Sequence, residues 1–252
     1  MMNISHITPT VSFYAILQGA FDHFNAEIFE GKLPHCLITL RSASRVHGYH
    51  HAERFISLQG EQIDEIGMHP GFFTLQPVEL VLSTLVHEMV HHWQQHFGVP
   101  SKSNAHNKEW AGKMEFIGLM PSNTGLLGGK RTGRSMSHYI IPDGIFMASC
   151  SRLVEGGFSI PWLDRHLPAK PENQEEMERA LKSSGIEYAT SASPINKLPK
   201  EIKGKAAVFL PEPKKVSSRE KLVCPQCGIK AWVAPGIQIA CGVCNVAMQS
   251  PA

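Results

Sequence analysis

Residues 77–97 of the chain are PVELVLSTLVHEMVHHWQQHF, and they contain the run His87-Glu88-Met89-Val90-His91. On a helix, residues four apart lie on one face, so His87 and His91 can bind one metal ion with Glu88 beside them. This HExxH arrangement is typical of zinc hydrolases. Two core histidines with other partners would have the same spacing, so the surrounding sequence has to decide between the two interpretations.

The flanks of this run predict one long buried helix. Pro77 suits a first turn, Gly98 can cap the C-terminus, and Pro100 prevents continuation. Apolar residues lie on nearly every side, which predicts a helix in the middle of a domain. Buried imidazoles there need partners, and a metal ion is a strong one. His92 and His96 point to other sides of the helix, so we expect them on the surface or supporting the metal ligands.

A catalytic zinc site needs a third protein ligand and keeps one position open. Two candidates follow the helix: His106, at the start of the next predicted helix, and Glu109, which a thermolysin-like site would use. The metzincin pattern is excluded, because Gln94 and Phe97 occupy the positions where that pattern has Gly and His.

A zinc hydrolase mechanism assigns a role to Glu88. It would take a proton from the zinc-activated water and pass it to the leaving amine. His138 and Tyr139 are candidates for stabilising the oxyanion, or ordinary strand residues.

Sequence periodicity around the motif predicts an α+β fold. Apolar residues at spacings of three and four predict a helix over residues 13–29. Three strand-like runs, at residues 37–41, 46–50 and 55–58, predict a small antiparallel sheet, and residues 67–74 a loop. A helix is predicted over residues 107–120, a hairpin over residues 139–148, and a surface helix over residues 173–184.

A glycine-rich basic loop precedes the predicted hairpin, at residues 125–137. It contains Lys130, Arg131 and Arg134, and it lacks a Walker pattern. Such a loop is either simply solvated or a basic lip that contacts a substrate or a nucleic-acid backbone.

Four cysteines near the end of the chain form two CxxC pairs, Cys224 with Cys227 and Cys241 with Cys244. This spacing predicts a structural zinc ribbon. Its apolar content is too small to hold it together, so zinc is expected to be necessary for its folding. Gly228 and Gly242 are expected to ease the turns.

Composition excludes some classes of protein. Of the 252 residues, 42% are hydrophobic and 18% are charged, which argues against global disorder. A net charge of +2 does not by itself imply a polyanionic partner. No signal-peptide pattern or membrane-length apolar stretch occurs, so we expect a cytoplasmic or nucleoid-associated protein without a membrane partner.

Several short motifs occur in a fixed order along residues 13–120: Phe24-Asn25, Phe29-Glu30-Gly31-Lys32-Leu33-Pro34, Gly48-Tyr49, the HExxH run, and His106 before Trp110. This order resembles the SprT-like metallopeptidases, the group that includes Spartan. The resemblance implies that His106, rather than Glu109, is the third zinc ligand, and that a zinc ribbon can follow the protease domain. Asn107 departs from the glycine usual in that family, and residues 122–219 have no counterpart.

We therefore predict a zincin-like metallopeptidase core at residues 10–122, a variable middle region at 123–187, a basic linker at 188–220 and a zinc ribbon at 221–252. Two zinc ions are expected, one catalytic and one structural. The resemblance implies that the substrate is a protein bound or crosslinked to DNA, as in DNA repair, with DNA contacted by the basic loop, linker and ribbon.

Two alternatives remain at this point. One is a regulatory protease of the ImmA/IrrE type, which also uses HExxH but cleaves a repressor. The other is a non-catalytic nucleic-acid-binding protein built on the same scaffold. Glu88 argues against the second alternative, because a pure scaffold would not require it.

Overall fold

The structure is a computed structural model that describes residues 8–42, 46–103, 105–165 and 219–251. The chain divides into two compact units, Met1–Leu210 and Pro211–Ala252. The first is a mixed helix and sheet fold, and the second carries the four-cysteine cluster, which confirms the predicted α+β class with a ribbon. The finer domain boundaries stay predictions. The predicted surface helix at 173–184 and nearly all of the linker lie outside the described residues.

The first unit contains helices and two small sheets. Its helices are α1 (Pro9–Ile28), α2 (Pro70–Leu75), α3 (Val78–Phe97), α4 (Lys108–Phe116) and α5 (Ile145–Glu155). Its strands are β1 (Leu37–Leu40), β2 (Gly48–Ile56), β3 (Gln62–Met68), β4 (Leu119–Ser122) and β5 (Ser137–Ile140). None of the helices in the described residues combines the length and the hydropathy that a membrane crossing requires.

The larger sheet has the order β1-β3-β2, with β1 parallel and β2 antiparallel to the central strand β3. The prediction of an all-antiparallel sheet from three consecutive strands is therefore wrong. Two of the predicted runs belong to the single strand β2, which has an irregular register between His51 and Phe55. The central strand is missing from the prediction, because Asp64 and Glu65 are buried in it and hide the apolar pattern.

Helix α3 passes through the middle of the apolar core, as its sequence predicts. It packs against α1, α4, α5 and the larger sheet. The largest fully buried side chains come from these elements and α2: Trp110, Phe21, Phe24, Phe73, Phe146, Leu82, Leu85 and Met89. Because so much apolar surface is buried around it, α3 has a fixed position independent of any ligand.

The region after α3 differs from its prediction. Helix α4 ends at Phe116, and Gly118 turns the chain with a φ of 88° into β4, which pairs with β5. The predicted hairpin at residues 139–148 is wrong, since its second half begins α5. A Cβ on Gly118 would lie 2.7 Å from the Cα of Gly144, so this crossing requires glycine.

The second unit contains the antiparallel strands β6 (Glu220–Val223) and β7 (Lys230–Val233). Its buried hydrophobic cluster contains only Leu222, Cys224, Cys241 and Met248 among the described residues. The apolar burial is thus very small compared with that of the first unit.

Candidate metal centres

Three histidines converge at the side of α3. His87 and His91 lie one turn apart on this helix, and His106 precedes α4; the ligand nitrogens of all three lie within 4.8 Å of one another. Two backbone hydrogen bonds to Gly133 hold His106 in place. The His106 N–H donates to the Gly133 carbonyl at 2.8 Å, and the His106 carbonyl accepts from the Gly133 N–H at 3.1 Å. The Trp110 ring packs against all three imidazoles, with centroid distances of 4.9, 5.3 and 4.3 Å.

The hydrogen bonds around His106 determine which nitrogen it can offer. Its Nδ1 lies 3.0 Å from the Gly133 carbonyl oxygen, which can only accept, so Nδ1 carries the hydrogen. The lone pair of Nε2 is therefore available for a metal ion.

A longer hydrogen-bond chain determines which nitrogen of His87 is free to bind a metal ion. The Ser83 hydroxyl donates to the Leu80 carbonyl at 3.0 Å, so its oxygen accepts from His138 Nε2 at 2.9 Å. His138 Nδ1 is then an acceptor, and it lies 3.1 Å from His87 Nδ1. His87 consequently carries its hydrogen on Nδ1 and presents the lone pair of Nε2. Both nitrogens of His138 are engaged, which leaves neither free to stabilise an oxyanion.

Glu109, the alternative third ligand, has other partners. Its carboxylate accepts from Gln94 Nε2 at 2.6 Å and from the Val99 backbone N–H at 2.7 Å. These hydrogen bonds engage the Glu109 carboxylate with groups at the C-terminal end of α3, so it does not belong to the cluster of three histidines. Asn107 caps α4 by accepting from the Trp110 N–H at 3.0 Å, so the departure from glycine at this position supplies a helix cap.

Electrostatics at the three histidines favours the neutral form that binds metals. Burial lowers the pKa of His91 to about 3, with His106 and His50 acting in the same direction. Burial likewise holds the pKa of His87 well below its usual range. Burial raises the pKa of Glu88 to about 8, and a cation held by the histidines would favour its ionised form. Neutral imidazoles with converging lone pairs fit a zinc ion.

Glu88 lies against strand β2 at Gly48. A Cβ at Gly48 would approach the Glu88 side chain to 3.1 Å and Thr84 to 3.0 Å. The absence of a side chain at this position therefore leaves room for the carboxylate next to the histidines.

The three histidines and Glu88 line an open cleft with a cavity volume of about 720 Å³. Among the predicted contact residues, Arg134 and His138 line this cleft, whereas Lys130, Arg131 and Tyr139 do not. Arg131 forms an ion pair with Glu115 on the surface. The predicted basic lip is thus represented in the cleft by Arg134.

Sequence reasoning missed Ser83, His47 and the position of His92. Ser83 lies four residues before His87, and this helical spacing is a usable signal. His47 lines the cleft, and burial lowers its pKa to about 4, but nothing in its local sequence marks it. His92 is buried instead of exposed.

In the second unit, the sulfur atoms of Cys224, Cys227, Cys241 and Cys244 lie within 4.8 Å of one another. The Cys227 backbone N–H lowers the pKa of the Cys224 thiol to about 6, which favours a thiolate. Four sulfurs so close together cannot all ionise without a cation, and four thiolates are a zinc ligand set.

The two turns of this cluster are alike. The N–H of Gly228 donates to the Cys224 carbonyl at 3.0 Å, and the N–H of Asn245 donates to the Cys241 carbonyl at 2.8 Å. Gly228 and Asn245 both have a positive φ, of 70° and 56°. The second turn therefore depends on Asn245 rather than on the predicted Gly242.

Comparisons with known proteins agree with this site. The model of the SprT-like family matches residues 17–127, which include the three histidines and Glu88. An uncharacterized protein encoded in the mucB 3' region of Salmonella typhimurium is 44% identical over 59 residues, which are 23% of this chain and 80% of that protein. No solved structure matches the chain.

Proposed function

Because this chain belongs to the SprT-like family, we propose that it is a zinc-dependent metallopeptidase that hydrolyses peptide bonds in the cleft beside α3. The observation that carries the proposal is the convergence of His87, His91 and His106 within 4.8 Å, with the Glu88 carboxyl next to them. Three protein ligands leave a fourth position open, as catalytic zinc sites require.

His87, His91 and His106 would hold the zinc ion through the lone pairs that their hydrogen bonds leave free. When bound, zinc supplies a water of lowered pKa and polarises the scissile carbonyl. The hydrogen-bond chain from His138 to Ser83 keeps the His87 ring in one tautomer and orientation.

Glu88 is the general base of this proposal. Its carboxylate takes a proton from the attacking water and donates it to the leaving amine. Gly48, which has no side chain, leaves space for this carboxylate in the cleft wall.

The test is cleavage of casein by the full chain and by Glu88→Gln. We expect at least about a 10²-fold loss of rate, because general acid-base catalysis contributes on that order, with the bound zinc unchanged. Glu61→Gln, at an exposed position between β2 and β3, is the matched control and should cleave normally. Cleavage by Glu88→Gln at the wild-type rate would reject the mechanism.

We also propose that the substrates are proteins bound or crosslinked to DNA, in the cytoplasm or at the nucleoid. Two features support this: the family resemblance, and the exposed basic side chains Lys130 and Arg134, the second of which lines the cleft. Phosphate contacts of this kind weaken as salt increases.

This part of the proposal has its own test. Histone cleavage should accelerate when single-stranded DNA is added at low salt, and Lys130→Ser, outside the cleft lining, should reduce the acceleration without changing casein cleavage in the absence of DNA. A rate that DNA leaves unchanged would reject this class of substrate and leave the peptidase proposal intact.

A further inference from the structure

A second cluster of imidazoles surrounds one carboxylate, Asp64 of β3. The Oδ2 atom of Asp64 lies 2.8 Å from His50 Nε2, 2.8 Å from His92 Nδ1 and 3.1 Å from His96 Nε2. His50 belongs to β2, whereas the other two histidines belong to α3. Only His50 also lines the proposed catalytic cleft.

The hydrogen bonds of His92 show that this cluster needs a cation. Its Nε2 lies 2.9 Å from the Pro34 carbonyl oxygen, which only accepts, so Nε2 carries the hydrogen. In a neutral ring, Nδ1 then has a lone pair, and it faces the carboxylate of Asp64. Two lone pairs at this distance repel each other unless a proton or a metal ion lies between them.

Burial makes this requirement strict. Asp64 is 3% exposed and His92 is 1% exposed. Burial acts to raise the pKa of Asp64, but hydrogen bonds from the Glu53 N–H and from His50 hold that pKa well below its usual range. A buried carboxylate of this kind needs a partner charge.

We propose that His50, Asp64 and His92 bind a second divalent transition-metal ion in the first unit, with zinc as the ion whose ligand preferences they match. Two imidazole nitrogens and one carboxylate oxygen form a known zinc set, whereas calcium and magnesium prefer oxygen ligands alone. His96 lies outside this ligand set, with its Nε2 3.1 Å from the same carboxylate oxygen. The ligand atoms of His50, Asp64 and His92 already lie within 4.8 Å of one another. Ligand atoms around a tetrahedral zinc ion lie roughly 3.3 Å apart, whereas Asp64 Oδ2 lies 2.8 Å from His50 Nε2 and from His92 Nδ1, so the carboxylate would move away from each nitrogen by about half an ångström.

Such an ion would have a structural role. It would connect β2 and β3 to the middle of α3, directly beside His91. The Asp64 Oδ1 atom, which accepts from the Glu53 N–H at 2.8 Å, would keep the carboxylate oriented. The ion would therefore join the larger sheet to a helix that the apolar core already positions, without taking part in the chemistry.

Zinc counting on the full chain tests this proposal. The protein is loaded with zinc, exchanged into metal-free buffer and measured by elemental analysis. We expect three zinc ions per wild-type chain, one of which is lost in Asp64→Asn. His51→Ala is the matched control, since His51 is exposed on the same strand as His50 and its Nδ1 lies 3.1 Å from the neighbouring Ala52 carbonyl oxygen, away from Asp64 Oδ2. It should keep all three ions.

Two further variants test the same ion if Asp64→Asn cannot be used, and distinguish it from the catalytic ion. If Asp64→Asn fails to fold, His50→Ala replaces it, because this change removes one ligand nitrogen and should release one ion to a chelator that leaves the wild type fully loaded. In a His91→Ala background, which loses the catalytic ion, the ion at Asp64 should remain. Two ions in the wild type, with no loss in Asp64→Asn or His50→Ala, would overturn the proposal and identify a proton as the occupant.

Discussion

The His87 site and the four-cysteine cluster are supported by very different amounts of protein. The histidines are attached to a helix that is enclosed by a large apolar core, and they supply three ligands beside an open cleft. The cysteines supply four ligands and are surrounded by a buried cluster of only four described residues. This difference indicates that ligand number and core size together determine whether a bound metal would be catalytic or structural. An open site needs a fold that exists already, whereas a closed site can create one.

Removal of bound metal should give the largest difference between the two units. A chelator should unfold the second unit, because structural zinc contributes about 10 to 16 kcal/mol to such modules. The first unit should lose stability but keep its helical circular dichroism, since its core is apolar. After chelation, limited proteolysis followed by mass spectrometry should show new cleavage sites within residues 219–251 and none within the described residues of the first unit.

The variant Cys224→Ser should show the same difference between the two units without a chelator. It should lose one zinc ion and the fold of the second unit, while cleavage of a short peptide by the first unit continues. Collapse of both units in this variant would contradict the view that only the second depends on metal for folding.

His138 should matter for metal binding rather than for folding of the first unit. His138→Phe keeps an aromatic ring but removes the acceptor for His87 Nδ1, so zinc affinity at the histidine site should fall about 10- to 100-fold. Activity should recover at saturating zinc, which a direct catalytic role would not allow. Tyr139→Phe, at the next position of β5, is the control. Unchanged zinc affinity in His138→Phe would show that the hydrogen-bond chain does not support the ligand.

The sequence predicts which candidate ligand residues lie together better than it predicts the sheet, and for a physical reason. HExxH and CxxC are local patterns, so their spacing alone places the ligand atoms together. Strand β3 is central to the larger sheet, yet its buried Asp64 and Glu65 are satisfied by partners far away in sequence, such as His92 and Tyr49. No local signal contains that information.

The predicted hairpin is wrong for a similar reason. The run Pro142-Asp143-Gly144 is a good turn, but β5 pairs with β4, which lies about twenty residues earlier, and α5 packs against α1. A turn motif specifies where the chain bends, but it does not specify whether a strand or a helix comes after the bend. Tertiary packing decides between the two.

Gly48 offers a finer test of the preformed catalytic site. Its backbone does not have a positive φ, so alanine is conformationally acceptable, and the expected effect comes from crowding Thr84 and Glu88. Gly48→Ala should lower the rate of peptide cleavage by roughly tenfold or less, because a 1 Å misplacement costs about 10²-fold, and it should leave zinc binding intact. Gly112→Ala, in α4 with open space around it, is the control. Loss of zinc in Gly48→Ala would show that the strand supports the ligands as well as the base.

The smallest effect concerns a surface pair that stabilises the first unit without metal. Hydrogen bonds from Arg152 of α5 lower the pKa of Glu27 of α1 from 4.5 to about 2. Because the folded pKa is depressed, the stabilisation is present above pH 4.5 and is lost as the pH falls toward 2. Glu27→Gln should therefore melt slightly below the wild type at about pH 6, and the difference should shrink as melting is repeated down to about pH 3. Asp22→Asn is the control, since Asp22 is exposed on the same helix and accepts a hydrogen bond from Gln18 instead of pairing with α5. Since both partners are partly exposed, the difference in melting temperature should be small and should decrease with salt. A difference that followed the zinc content instead would mean that the fold of this unit depends on metal more than its apolar core implies.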